Sequence, residues 1–97
     1  MEIEEVKKKV GEIVIYELEG TNFSAFFFGS RVMGTNTKTS DLDIGIEGVT
    51  AVPENILRSI KSRCSGIPTL FTIDIVDFSS ISEEFKKVAK SKVEIIR

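Results

Sequence analysis

The stretch "FGSRVMGTNTKTSDLDIGI", residues 28–46, decides how the chain is read. A glycine-serine turn follows three phenylalanines, a polar loop comes next, and two aspartates one residue apart head an apolar segment. From Asp41 the pattern alternates: Leu42, Ile44 and Ile46 share one face, and Asp41, Asp43, Gly45 and Glu47 share the other. That period is the mark of a half-buried strand. On such a strand the two aspartates leave the same face, with Cα atoms roughly 7 Å apart. Carboxylates that close repel, and one takes up a proton unless a cation lies between them. A divalent metal removes the conflict. A calcium loop is excluded, because counting from Asp41 puts Ile46 and Val52 where glycine and glutamate are required.

Toward the N-terminus, residues 23–28 are too apolar for an exposed edge and predict a central strand covered on both faces. The chain turns at Gly29, and residues 30–33 can form a short helix ending by Gly34. Gly29 and Gly34 have the spacing of a phosphate-binding P-loop, but Thr35 and Asn36 follow where Lys and Ser/Thr are needed. What remains is a strand, a glycine and Ser30 at a helix start, whose free N–H groups and hydroxyl can donate to phosphate oxygens. A plain tight turn built on the two glycines is the simpler alternative.

Toward the C-terminus, Pro53 opens a helix with Ile56, Leu57, Ile60 and Cys64 on one stripe, closed by Gly66 and Pro68. "TLFTIDIVDF", residues 69–78, predicts a third strand, with Leu70, Thr72, Asp74 and Val76 on one side and Phe71, Ile73, Ile75 and Asp77 on the other. Asp74 interrupts an apolar run, where an unpaired carboxylate is costly. If the two strands are neighbours, Asp74 completes a three-carboxylate cluster suited to one or two Mg²⁺ ions. The plainer alternatives stay open. A D-x-D arises by chance, either aspartate can cap a turn or pair with a lysine, and a hydroxyl can satisfy Asp74. Asp77 reads as a strand-end residue.

The remainder is framework. Residues 2–19 place Ile3, Val6, Val10, Ile13, Val14 and Leu18 at helical spacing, ending near Gly20. Ser80 with Glu83 predicts a capping box for a last helix whose buried stripe is Ile81, Phe85 and Val88. "KVEII" predicts a short edge strand.

Bulk properties narrow the function. Ninety-seven residues, 41% hydrophobic and 29% charged, predict one globular domain, residues 1–97. No apolar run is long enough to span a membrane, and the polar N-terminus does not look like a signal peptide, so a cytoplasmic location is expected. There is no histidine, which removes Ser-His-Asp triads and His-containing zinc sites. The single cysteine, Cys64, reads as a small apolar residue on a helix face. A net charge of −2 disfavours nucleic acid as a direct ligand. Lys86, Lys87, Lys90, Lys92 and Arg97 near the end read as a solvated face, with docking to an acidic partner the lesser alternative.

In combination, Gly29-Ser30 on a strand-to-helix turn, Gly34, Ser40-Asp41-Leu42-Asp43 and a lone acid on a later strand resemble the DNA polymerase beta-like nucleotidyltransferases. More closely, the chain resembles their minimal nucleotidyltransferases (MNT), which often read G-S-R-A-x-G, a polar loop, then S-D-[IL]-D. Val32 replaces the usual alanine, and Met33 stands where many relatives place a basic or polar residue. The resemblance covers nearly the whole chain and implies an α+β (mixed α/β) nucleotidyltransferase fold: a small mixed sheet of three to four strands packed with about four helices. By resemblance, Asp41, Asp43 and Asp74 are the catalytic and metal-binding carboxylates. Gly29, Ser30, Arg31 and Ser40 hold the nucleotide.

The implied reaction is Mg²⁺-dependent transfer of a nucleoside monophosphate, foremost AMP from ATP, to a hydroxyl. Larger relatives add a domain that holds the acceptor, so a partner must supply it here. The minimal family is often paired with a HEPN-domain toxin, whose tyrosine the antitoxin modifies with AMP. That role and partner are the expectation. Two alternatives are a non-catalytic antitoxin module that neutralises its partner by binding, and transfer to a small molecule. Assembly as a homo- or hetero-oligomer stays open.

Overall fold

The computed structural model describes residues 2–29 and 41–97. The first element, α1 (Ile3–Glu17), forms because Val6, Val10 and Val14 recur every four residues and line one stripe; all three are fully buried. Glu4 and Glu5 sit in its first turn, where the helix dipole favours negative charge. Leu18 caps its C-terminus, and Gly20 follows with a φ of +80° that releases the chain toward the sheet.

Four strands follow: β1 (Ser24–Phe28), β2 (Leu42–Glu47), β3 (Ile73–Asp77) and β4 (Glu94–Ile95). Their order in the sheet is β3-β2-β1-β4. β1 pairs antiparallel with β2 and β4, whereas β2 and β3 run parallel. The parallel pair needs a crossover, supplied by α2 (Glu54–Ser65), which starts after Pro53 and is capped by Gly66. A single 3-10 turn (Phe78–Ser80) and α3 (Glu83–Ala89) connect β3 to β4.

Each face of the sheet has its own packing layer. On one, α1 and α2 bury Leu42, Ile44, Ile46 and Ile75 against Val10, Val14, Ile60 and Cys64. On the other, Phe26, Phe28 and Phe78 form an aromatic cluster, edged by Val76, Ile81, Ala89 and Val93. Phe78 meets Phe26 and Phe28 edge-on, with ring centres 5.0 and 5.1 Å away. β1 is thus central and covered on both sides, as its sequence predicts. Gly45 makes the aromatic layer possible, since a Cβ there would lie 2.6 Å from the Phe26 ring and 2.7 Å from Phe78.

The C-terminal basic residues are mostly used internally. Lys86 pairs with Glu83 and Lys90 with Glu47, while the Arg97 guanidinium donates to the carbonyls of Thr21 (2.7 Å) and Phe23 (3.1 Å). Lys7, over the Phe27 ring at 5.2 Å, pairs with Glu94 and ties α1 to β4. Among the described residues, no helix is long and apolar enough to cross a membrane.

Three expectations need correction or bounding. The third strand begins at Ile73, not residue 69, and Leu70 is fully exposed. The Ile67 carbonyl accepts from the Thr69 N–H, and Thr69 Oγ1 accepts from the Phe71 N–H, so this segment is spent on a local turn instead of a ladder. The last helix is capped by Ser82, whose Oγ accepts from the Phe85 N–H; Ser80 lies in the 3-10 turn and donates to the Asp77 carbonyl. That seven-residue helix fully buries none of its own residues: Ala89 and the flanking Ile81 and Val93 pack on the aromatic cluster, Phe85 meets the Phe28 ring edge-on at 6.5 Å while 48% exposed, and Val88 is 73% exposed. The short helix expected over residues 30–33 lies outside the described residues, among which there are three α-helices.

Gly45→Val is expected to force the two rings apart and cost roughly 1–3 kcal/mol, as overpacked cores do. Urea unfolding of wild type and variant measures the difference, and an unchanged midpoint would contradict the close packing.

Candidate active site

Asp41 stands just ahead of β2 and Asp43 is the strand's second residue. In the parallel ladder Asp43 lies directly opposite Asp74, so the two side chains leave the same face of the sheet. The neighbouring residues Ile44 and Ile75 point the other way, into the aliphatic core. Asp41, Asp43 and Asp74 each bring one carboxylate oxygen to within 4.8 Å of the others. Asp41 and Asp74 are exposed, and Asp43 is half-buried.

Gly29 closes the cluster from the β1 side. It follows Phe28, which pairs with Asp43, and has a φ of +84°. A Cβ at Gly29 would sit 2.3 Å from Asp43 Oδ2. Glycine is required twice over, for the left-handed backbone and for the space that the carboxylate occupies.

The electrostatics are those of a site short of positive charge. Burial raises the Asp43 carboxyl above the usual range, and the charges of Asp74 and Asp41 raise it further. Asp74 is also raised, by burial first, then by the charge of Asp41 and a hydrogen bond with it, against an opposing pull from Lys61. Asp77, three residues along the same strand, goes the other way. Burial alone would raise it, but the Ser79 N–H (2.9 Å) and Val52 N–H (3.0 Å) donate to its oxygens and together hold it below the ordinary value. Asp77 is therefore a cap that fixes the end of β3, the strand-end role read from its position.

Three oxygen donors that repel one another, with no sulfur or imidazole beside them, suit a hard divalent cation. Their span fits one ion after small side-chain rotations, or two ions that share the carboxylates. The carboxylates and Gly29 thus come together as expected. Ser30, Arg31 and Ser40 lie outside the described residues. Sequence reasoning did not single out Lys61, whose charge acts on Asp74 from α2, nor the steric reason for Gly29. Both depend on through-space contacts that no local pattern encodes.

The arrangement is that of a small nucleotidyltransferase fold. A solved structure described as "Crystal structure of the toxin-antitoxin with AMP-PNP" superposes with a TM-score of 0.65 over 90% of this chain and 72% of its own, at 19% identity, which establishes the fold. Residues 21–97 match the family described as Polymerase beta, Nucleotidyltransferase. The "Probable protein adenylyltransferase MntA" of Haemophilus influenzae is 28% identical over 78 residues, 78% of this chain and 67% of that protein. The chain belongs to the polymerase beta nucleotidyltransferase family.

Raised carboxyls hold their protons more tightly in the native state than in the unfolded chain. Their contribution to stability is present below the unfolded value and is lost as pH rises through the folded one. In metal-free buffer, Asp43→Asn is therefore expected to raise Tm at neutral pH, with the gain shrinking as the pH falls below the raised value. Asp77→Ala should lower stability by about 1 kcal/mol through loss of a cap. Because the Asp77 carboxyl is held low, its contribution is present above the unfolded value and fades as acid titrates it. Thermal unfolding of the three proteins across pH separates these opposite trends.

Proposed function

We propose that this chain transfers AMP from ATP to a hydroxyl on a partner protein, in a Mg²⁺-dependent reaction. The observation that carries this reading is the convergence of Asp41, Asp43 and Asp74 beside the side-chain-free Gly29 turn. Asp41 and Asp43 would hold the metal that accompanies the triphosphate, and Asp74 would share a second ion on the acceptor side. When bound, Mg²⁺ neutralises the phosphates and the departing pyrophosphate and acidifies the acceptor hydroxyl.

The chain's residues have separate tasks. Gly29, with Ser30, Arg31 and Ser40, cradles the phosphates through N–H, hydroxyl and guanidinium donors. Asp74 sits at the edge strand, open to solvent, where an acceptor can approach. Its carboxylate orients the acceptor hydroxyl and takes its proton as the oxygen bonds to the α-phosphorus. The bond between the α-phosphorus and the bridging oxygen to the β-phosphate breaks, and pyrophosphate leaves with its electron pair.

A protein acceptor is favoured because the Haemophilus relative is described as a probable protein adenylyltransferase and the structural neighbour as a toxin-antitoxin assembly. The partner we infer is a HEPN-domain toxin, modified on a tyrosine and thereby silenced, with this chain as antitoxin.

Incubation of the chain with its partner, MgCl₂ and α-labelled ATP is expected to place label on the partner. Asp74→Asn should cut transfer by roughly 10²–10⁴-fold, the usual contribution of general acid–base catalysis, while ATP still binds. The Asp41→Ala, Asp43→Ala double variant should neither transfer nor gain Tm on addition of Mg²⁺. If that variant still suppresses the partner's toxicity, neutralisation works by binding, not by modification.

A further inference from the structure

A pocket of about 240 Å³ lies between α2 and residues 67–73, on the aliphatic side of the sheet. Cys64, Ile67, Phe71 and Ile73 give it apolar walls, Thr69 adds a hydroxyl, and Lys61 sets an ammonium at its rim. Ile73 is the residue next to Asp74. Alternation along β3 turns Ile73 toward α2 and Asp74 toward the carboxylate cluster. Because β3 is an edge strand, a polypeptide can pass around it from the pocket to Asp74 without crossing the sheet.

Lys61 is exposed and, like Lys8, Lys9, Lys87 and Lys92, belongs to none of the ion pairs among the described residues, whereas its helix neighbour Arg58 pairs with Glu54. What sets it apart from those four lysines is that it lines the pocket. It also stands within electrostatic range of Asp74. The strand order also fixes which side of the site this is. Gly29 follows β1 and flanks β2 on one side, and Asp74 on β3 flanks it on the other. The pocket therefore adjoins the flank opposite the glycine turn, where the acceptor has to enter.

We propose that this pocket is an acceptor subsite that takes a glutamate-type side chain lying close in sequence to the hydroxyl being modified, with Lys61 reading its carboxylate. An apolar wall suits the short methylene stem, and the rim ammonium with the Thr69 hydroxyl suits the charged end. Lys61 is a specificity residue of the acceptor, and the ATP side of the site does not use it. The assignment deepens the transfer reading given above and rests on it only for the identity of the ligand as acceptor.

The test uses two tyrosine peptides, one with glutamates within two residues on either side of the tyrosine and one with glutamines there. Each is titrated into the ¹⁵N-labelled full chain and followed by NMR. The glutamate peptide is expected to shift the amides of Lys61, Thr69, Phe71 and Ile73 and to bind about tenfold more tightly than the glutamine peptide, as a charge-assisted contact allows. Lys61→Met should erase that preference, and Lys87→Met should keep it. Equal binding of the two peptides, or shifts that fall elsewhere, would overturn the subsite. A parallel assay with α-labelled ATP and Mg²⁺ reads transfer separately: tighter glutamate binding with no label on either peptide would count against transfer to tyrosine and leave the subsite standing. With transfer present, Lys61→Met should raise the KM for the glutamate peptide about tenfold and leave the KM for the glutamine peptide and for ATP unchanged.

Discussion

Everything at the candidate site depends on the register of one parallel pair. Asp43 faces Asp74 because Leu42 pairs with Ile73 and Ile44 with Ile75, and those four apolar residues are packed on the helix side of the sheet. A slip of one residue would turn Asp74 into the aliphatic core and bring Ile73 or Ile75 out beside the carboxylates. Burying an isoleucine side chain stabilises by roughly 1.5–3 kcal/mol, so the wrong register is heavily disfavoured. Hydrophobic packing on one face thereby enforces the crowding of like charges on the other. The repulsion is affordable because the carboxylates lie at the periphery, where solvent or a cation can screen them.

The same strand shows how position sets the chemistry of identical side chains. Asp74 and Asp77 differ by three residues, yet one is raised and the other lowered. Asp74 faces another carboxylate across the ladder, whereas Asp77 is met by two backbone N–H groups. One of them, from Val52, belongs to the segment leading into α2, so the Asp77 carboxylate fastens the crossover to the end of β3. Residue type alone would not separate a structural aspartate from one held ready for charge compensation.

Much of this was legible in the sequence. The alternation from Asp41 to Glu47, the all-apolar run before Gly29 and the spacing of α1 are local periodicities, and they were read correctly because burial follows them directly. Recognition of the family rested on a combination of short motifs, none decisive alone. The errors have a common physical source. Thr69 and Ser82 each use a side-chain oxygen to redirect nearby backbone N–H groups, which moved the start of β3 and the cap of α3. Competing serines and threonines in one stretch give no local sign of which will win. Phe85 and Val88 have helical spacing, but a helix of seven residues does not bury every apolar side chain it carries.

Cys64, on the buried face of α2, is 4% exposed, and burial lifts its thiol to about 11 against a smaller opposing effect of Arg63. At neutral pH the sulfur is therefore protonated and a poor nucleophile. Alkylating reagents would approach it along the pocket that it lines with Ile67 and Phe71, so the rate of modification records whether that pocket is filled. The chain carries its own chemical gauge of what occupies the cavity beside its edge strand.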